Sequence, residues 1–244
     1  MKERLDILLE EKGLVTTRTR GVELIKNGDV LVDGVTVDKP GKKIDNTATI
    51  TLLNEELSWV SRGALKLLKA INTFQFPIAG KTFIDIGAST GGFTEVLLSK
   101  GAKHVYCVDV GHNQLHERLQ KLETITNIEK THIRELTISH VPKQVDGIVI
   151  DVSFISLEKV IPFTTAFLKS DGVLIALIKP QFELEKRKLN KHGVVKSASF
   201  YPEVLENVKK AVSISNFTVQ DIIESPIVGG DGNKEFLLYA LKNT

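Results

Sequence analysis

From Phe83 to Phe93 the chain reads Phe-Ile-Asp-Ile-Gly-Ala-Ser-Thr-Gly-Gly-Phe, an apolar strand that runs straight into a glycine-rich turn. Without Cβ atoms, such a turn can lay its backbone against a ligand. Eighteen residues after Gly91 a second strand, His104 to Val108, ends on Asp109. An acid at the tip of the second strand offers the two oxygens that a ribose diol needs for hydrogen bonding. Together the two features point to a nucleoside cofactor.

The spacing narrows the choice. A dinucleotide fingerprint arranges its glycines as G-x-G-x-x-G, so that a pyrophosphate rests on a helix N-terminus. Here the order is Asp85, Gly87, then Gly91 and Gly92, with an acid ahead of the first glycine. A carboxylate there repels a pyrophosphate but suits a cationic or zwitterionic group, such as the amino acid portion of S-adenosylmethionine. The pattern resembles the first motif of Rossmann-like methyltransferases. That resemblance implies a cofactor site built from Asp85, Gly87, Ala88, Ser89, Gly91, Gly92, Phe93 and Asp109.

At 244 residues and 42% hydrophobic content, the chain can bury one full α/β core with a small second unit beside it. The start, Met1 to Glu10, is charged from its second residue, and the longest apolar stretch, Val173 to Ile178, is far too short to span a bilayer. No membrane association is expected. The single cysteine, Cys107, lies inside the second strand, which excludes an internal disulfide and a paired-cysteine zinc site and suits a reducing, cytoplasmic setting. A net charge of +2 argues neither for nor against nucleic acid.

The first 58 residues read as a separate small domain. Arg4 to Leu9 and Arg18 to Ile25 have helical apolar spacing, the second helix opening at Thr16 and Thr17 and stopping at Asn27 and Gly28. The period then changes to two: Val30 to Val32, a tight turn at Asp33 and Gly34, and Val35 to Val37 form a hairpin, with a further strand from Ala48 to Leu53. Arg4-Leu5-Asp6, Thr17-Arg18-Thr19-Arg20, Ile25-Lys26-Asn27-Gly28-Asp29-Val30 and the following Val-Asp-Gly resemble the S4 RNA-binding domain. In that family basic residues of the helix and hairpin face grip the RNA backbone, which implies roles for Arg4, Arg18, Arg20 and Lys26. Through Ser58 there are nine Lys and Arg against eleven Asp and Glu, so the basic surface is local, with Lys39, Lys42 and Lys43 nearby in sequence.

Asn54 to Val60 reads as a join, and residues 59–244 as the larger domain. From Ser61 onward, helices alternate with strands at Thr82 to Ile86, His104 to Asp109, Ile128 to Thr131, Gly147 to Asp151, Val173 to Lys179, Thr218 to Glu224 and Phe236 to Leu241. This predicts an α/β, doubly wound, mostly parallel seven-stranded sheet with its last strand reversed. Ligands of such sheets bind beyond the carboxyl ends of the strands, where Asp85, Asp109, Asp151 and Lys179 are expected. Arg134 and Glu135 follow the third strand, where this fold commonly holds adenine. Arg187, Lys188 and Lys191 lie in a polar loop that either closes over substrate or is simply solvated.

Asp151 and Lys179 each end a strongly apolar strand, a poor place for charges that only pack. Two further charges come from resemblance. Ser61-Arg62-Gly63-Ala64-Leu65-Lys66-Leu67 is similar to the first helix of FtsJ-type RNA 2′-O-methyltransferases, with Arg62 an implied RNA contact. Gly232-Asn233-Lys234-Glu235-Phe236-Leu237 is similar to the segment that carries their last acid. Lys66, Asp151, Lys179 and Glu235 then match that family's catalytic Lys-Asp-Lys-Glu set in chain order. With Val60 to Gly63, Asp85 to Phe93, Val108 to Gly111, Gln114-Leu115, Asp151 to Leu157, Ile178 to Glu183 and Gly193 to Val195, the whole chain resembles the hemolysin A (TlyA) family. One departure is His112-Asn113 ahead of Gln114, where a glycine is more usual.

The resemblance implies methylation of ribosomal RNA, free or in a ribosomal particle, at the 2′-oxygen of cytidine. A 2′-hydroxyl is a poor nucleophile whose proton must leave as the new bond forms, and Lys179 is the expected acceptor. Asp151 would orient it. Lys66 would offset Asp151 and hold the target phosphate, and Glu235 would fix the second lysine and the ribose. No metal is required. Exocyclic amine methylation is disfavoured, because Asp151-Val152-Ser153-Phe154 lacks the usual Asp/Asn-Pro-Pro-aromatic turn. Carbon-5 methylation needs a cysteine nucleophile, and Cys107 is expected to be buried. An RNA-binding scaffold without catalysis has no need of the intact Lys-Asp-Lys-Glu set. A membrane-active hemolysin lacks the amphipathic or spanning segment it would require.

Overall fold

The computed structural model describes residues 2–15, 17–26, 28–52 and 59–244. Contacts divide the chain between Val60 and Ser61 into two compact units. Thr16, Asn27, Leu53 and the expected join at 54–58 lie outside the described residues, so the helix boundary, strand end and linker expected there are not addressed.

In the N-terminal unit, β1 (Lys2–Arg4) leads into α1 (Leu5–Glu11), followed by α2 (Arg18–Lys26), β2 (Val30–Val32), β3 (Val35–Thr36), β4 (Lys43–Asp45) and β5 (Ile50–Leu52). The hairpin forms as its Asp-Gly turn dictates: Asp33 and Gly34 sit at φ 50° and 80°, and Val32 faces Val35. β5 completes a three-stranded antiparallel sheet against β2. β1 and β4 pair separately, from Lys2 opposite Asp45 to Arg4 opposite Lys43. Leu5, Leu8, Leu9, Leu24, Ile25 and Val30 form the core. The expected start of α2 is supported by Thr17, whose Oγ1 accepts from the Arg20 N–H at 3.2 Å.

Asp6, 1% exposed, is the one charged side chain in this core among the described residues. Two hydrogen bonds from Arg4, with one more from Arg18, outweigh its burial and hold its carboxyl at about 2. Because the folded value lies below the ordinary one, the ion pairs contribute fully above about pH 4, and that contribution disappears as pH falls through about 2. Acid titration monitored by circular dichroism should therefore show this unit losing stability across that window, and Asp6→Asn should reduce the dependence, leaving the part that Asp45 contributes through its hydrogen bonds from Thr47.

The larger unit is built on a seven-stranded sheet of order β11-β12-β10-β9-β6-β7-β8. The strands are β6 (Thr82–Ile86), β7 (His104–Val108), β8 (Ile125–Ile128), β9 (Val145–Ile150), β10 (Leu168–Ile178), β11 (Phe217–Glu224) and β12 (Phe236–Lys242). All are parallel except β12, which runs antiparallel to β10 and β11. Helices α3 (Gly63–Phe74), α4 (Gly92–Ser99), α5 (Glu117–Gln120), α6 (Pro180–Glu183) and α7 (Tyr201–Ile214) connect them. The interior strand β6 is covered on both faces, with Phe83 and Ile84 fully buried, each worth roughly 1.5–3 kcal/mol. Beside it, Gly147 leaves room for the Phe83 ring, which a Cβ at 147 would meet at 2.2 Å.

Two expectations need correction. The third strand occupies Ile125–Ile128, not Ile128 to Thr131, pairing Val105 with Ile125 and Val108 with Ile128. It ends early because Lys130 turns into the left-handed region (φ 54°), donating its N–H to Gly111 O. Regular helix is also replaced by short 3-10 turns after β8 (Ile133–Glu135) and between β9 and β10 (Leu157–Lys159, Ile161–Phe163, Thr165–Phe167). Pro162, inside that last connection, lacks the N–H a continuous helix would use.

Candidate active site

The carboxyl ends of β6, β7, β9 and β10 converge as the doubly wound topology requires. Asp85 is fully buried near the end of β6. Its Oδ2 accepts from the Thr94 N–H (3.0 Å) and Oγ1 (2.7 Å), which fixes the start of α4, while Oδ1 has no hydrogen-bond partner among the described residues. Burial raises this carboxyl to about 7 against those hydrogen bonds, with Asp151 and Asp109 adding repulsion. Gly87 (φ 82°) and Gly91 (φ 96°) take conformations that disfavour side chains, and a Cβ at 87 would lie 2.4 Å from the Asp151 carbonyl oxygen. The turn therefore rests directly on the segment that follows β9.

One residue past β7, Asp109 is held from both sides. The Ser89 N–H donates to Oδ2 at 2.8 Å and the Gly111 N–H to Oδ1 at 2.7 Å, leaving a lone pair on each oxygen. Glu129 supports the same loop by accepting from the N–H groups of Asn113 (2.8 Å) and Gln114 (3.3 Å) and pairing with His112. His112-Asn113 is thus accommodated by Glu129.

Two adjoining cavities flank this turn. One, of about 240 Å³, is lined by Asp85, Gly87 to Thr90, Gly92, Phe93, Ser61, Arg62, Lys66, Asp151 and Lys179. The other, of about 630 Å³, runs over Asp109, Val110, Gln114, His132, Ile133, Val152 and Val160. A groove of about 720 Å³ between α7 and β11 is larger, but no set of charges converges on it.

At the first cavity the four charges assembled from distant parts of the chain form one line of alternating sign. Glu235 Oε2 is 2.7 Å from Lys66 Nζ, Lys66 Nζ is 4.0 Å from Asp151 Oδ2, and Asp151 Oδ1 is 2.6 Å from Lys179 Nζ. Lys179 Nζ also donates to Ser153 Oγ at 2.9 Å. Glu235 therefore pairs with Lys66, not with Lys179 as expected. Lys66, 7% exposed and engaged by two carboxylates, sits at the buried end of the line and not at an outer phosphate position. Gly229 makes space for Glu235, since a Cβ there would come within 2.6 Å of Oε1. Asn233, also buried, ties this segment to the loop before α7, accepting from the Val195 N–H and donating to Gly193 O, both at 3.0 Å.

Other expected site residues are placed differently. Arg62 lines the first cavity. Arg134 is absent from the lining of both cavities; its guanidinium lies 5.6 Å from the centre of the Phe163 ring, and His132 and Ile133 take the wall position instead. Arg20 is 10% exposed and paired with Glu23 at 2.8 Å, so it presents little surface, whereas Lys26 is exposed and Arg4 and Arg18 are each about half exposed. In the polar loop, Lys188 is drawn onto Glu203 and the Phe200 ring, and Arg187 pairs with Glu185. Cys107 is buried, which pushes its thiol upward, away from the reactive thiolate form.

One residue passed over in the sequence stands out. Phe154 is 91% exposed beside Ser153 and Asp151, in the left-handed region at φ 65°, with its ring centre 5.1 Å from that of Phe182. The signal was a large aromatic placed directly after Asp151-Val152-Ser153, where a loop at a strand's carboxyl end has no packing use for it.

Strand order and the acid-glycine turn define a class I, Rossmann-like methyltransferase fold. The FtsJ-like methyltransferase family matches residues 59–242 and the S4 domain matches residues 3–50. The Bacillus subtilis protein YqxC is 41% identical, over 98% of this chain and 85% of its own length. The 16S/23S rRNA (cytidine-2′-O)-methyltransferase TlyA of Mycobacterium tuberculosis is 38% identical, over 100% of this chain and 91% of its own. A solved structure from Streptococcus thermophilus, 41% identical, superposes with a TM-score of 0.79 over 99% of this chain and 89% of that one. The chain belongs to the hemolysin A (TlyA) family, in which an S4 domain accompanies an FtsJ-like methyltransferase domain. Among the described residues no helix is long and apolar enough to cross a membrane, and no group of three or more acidic, histidine or cysteine side chains is arranged to hold a metal.

Proposed function

We propose that this chain is an S-adenosylmethionine-dependent methyltransferase that modifies ribosomal RNA at a ribose 2′-oxygen, that of cytidine. The observation that carries the reading is the Glu235-Lys66-Asp151-Lys179 line opening onto the acid-glycine cavity. Residues 1–58 serve as the RNA-binding domain and 59–244 as the catalytic one. A single buried cysteine suits work in the cytoplasm.

The cavities fit the cofactor. Asp85 Oδ1 is a buried acceptor with no hydrogen-bond partner among the described residues, on the wall of the smaller one, suited to an ammonium group, which would favour the carboxylate form. Gly87 to Phe93 give a backbone wall, Asp109 keeps a lone pair on each oxygen for a ribose diol, and Val110, Ile133, Val152 and Val160 suit a flat apolar base. When bound, S-adenosylmethionine supplies an electrophilic methyl group.

The protein's part is to hold the nucleotide and handle one proton. Lys179 Nζ, the outermost amine of the line, first gives up one of its own protons to solvent and, as the free amine, then receives the proton of the 2′-hydroxyl. Asp151, 2.6 Å away, fixes the direction of that amine together with Ser153. Lys66 offsets the Asp151 charge, and Glu235 holds Lys66 in turn. Phe154 offers its exposed ring at the rim as a surface for the target base, a contact that tolerates flipping the nucleotide out of its stack.

Calorimetry gives the test. S-adenosylmethionine should bind the chain, and Asp109→Ala should weaken it about tenfold or more, because the diol loses a charged acceptor worth about 1.5–3 kcal/mol. Binding of NAD in place of S-adenosylmethionine would defeat the proposal.

A further inference from the structure

We propose that Asp6 is a positioning residue that fixes Arg4 and Arg18 as one preformed fork for an RNA phosphodiester. The inference rests on the RNA-binding reading of the N-terminal unit and adds to it the device that orients the contacts. Asp6 lies in the first turn of α1, where Gly21 of α2 comes close; a Cβ on Gly21 would be 3.3 Å from the Asp6 carbonyl oxygen. Its buried carboxylate takes both guanidiniums by their inner edges. Arg4 uses Nε (2.9 Å, to Oδ1) and one terminal nitrogen (3.0 Å, to Oδ2), and Arg18 uses Nε alone (2.8 Å, to Oδ2). Among the described residues, Nη1 of Arg4 and both terminal nitrogens of Arg18 have no hydrogen-bond partner, and both side chains are about half exposed. Gly41 lies against the Arg4 guanidinium, where a Cβ would stand 3.3 Å from Nη1.

Two features separate this from an ordinary staple between helices. A buried carboxylate needs one strong partner, yet here two cations share it, which leaves a net positive pair with donors facing outward. Guanidinium donors in a fixed fork match the geometry of phosphate oxygens. Without Asp6 the two cations would repel each other, and their flexible side chains would have to be ordered when RNA binds. The carboxyl, held at about 2, stays charged at every pH at which the chain works.

The test turns on the sign of an effect. Asp6→Asn removes a negative charge, so charge counting predicts tighter RNA binding with an unchanged or steeper salt dependence. The fork predicts the reverse in affinity: binding of the full chain to purified 23S and 16S rRNA should weaken about tenfold, with an undiminished salt slope. Replacing Arg4 and Arg18 with alanine should lower the logarithmic salt slope by about two. In that background Asp6→Asn should cost nothing further, whereas a purely structural Asp6 would still matter. If Asp6→Asn melts the unit, the arginine Nε–H signals of the wild-type chain decide by NMR. Two slowly exchanging signals in the RNA-free chain support the fork, and rapidly averaged ones overturn it. Wild-type or tighter binding by folded Asp6→Asn also overturns it. If alanine at Arg4 and Arg18 leaves rRNA binding intact, the RNA-binding reading of this unit fails as well.

Discussion

Replacing Lys179 with alanine should reduce methyl transfer by a hundredfold or more while S-adenosylmethionine and RNA still bind. Lys179 Nζ is the terminal amine of the charged line, 2.6 Å from Asp151 and 2.9 Å from Ser153 Oγ, at the wall of the cavity that the acid-glycine turn forms. Positioned proton transfer contributes about 10²–10⁴ in rate, and its loss appears in kcat and not in binding. The arginine variant separates charge from proton transfer. Lys179→Arg keeps a cation next to Asp151, but arginine does not deprotonate at accessible pH, so this variant should fail nearly as badly. Single-turnover rates for the two variants give the answer. Near-normal turnover by Lys179→Arg would leave Lys179 only a positioning or charge-stabilising role.

Gly87→Ala should strike fold and activity together. Gly87 sits at φ 82°, and a Cβ there would meet the Asp151 carbonyl oxygen at 2.4 Å and its carbon at 2.9 Å, both backbone atoms that cannot rotate away. Asp151 is itself fixed, its N–H donating to Ile86 O at 3.0 Å. The left-handed conformation costs alanine about 1–2 kcal/mol and the overpacking about 1–3 kcal/mol more. The main chain must move near Asp151, and a shift of about 1 Å in a reacting group can cost a hundredfold in rate. Gly232 is the control, having a similar φ of 83° but nothing within 4 Å of its Cβ. Gly232→Ala should carry only the conformational cost and keep most activity. Equal melting temperatures and rates for the two variants would show that the contact with Asp151 does not matter.

What the sequence made legible followed burial. β6 and β7 lie where their apolar runs put them, because central parallel strands are covered on both faces and their sequence carries little else. β8, an edge strand reading Ile-Thr-Asn-Ile, has half its pattern given to solvent, and it was misplaced by three residues. β1 and β4 are three residues each and pair residues far apart in sequence, Lys2 with Asp45 and Arg4 with Lys43, so no local period announces them. The acids and lysine at strand ends were readable because charge after an apolar run is conspicuous. Partner choice was not readable. Glu235 meets Lys66 because β12 returns antiparallel beside β10 and α3 packs near it, a relation set by tertiary structure. Arg20 and Glu23 close on each other within α2, which removes Arg20 from the surface, and the Phe163 ring carries Arg134 away from the cofactor wall.

Methylation of a ribosomal RNA 2′-oxygen by this chain is read out by mapping alkali-resistant positions in rRNA. A methylated 2′-oxygen cannot attack its neighbouring phosphodiester, so each modified nucleotide survives alkaline cleavage as a distinct site. Ribosomal RNA from cells expressing the chain should carry at least one such cytidine that is missing when the chain is deleted. Restoring the wild-type chain should return it, and restoring Lys179→Ala should not. Identical 2′-O-methyl maps with and without the chain would contradict the account.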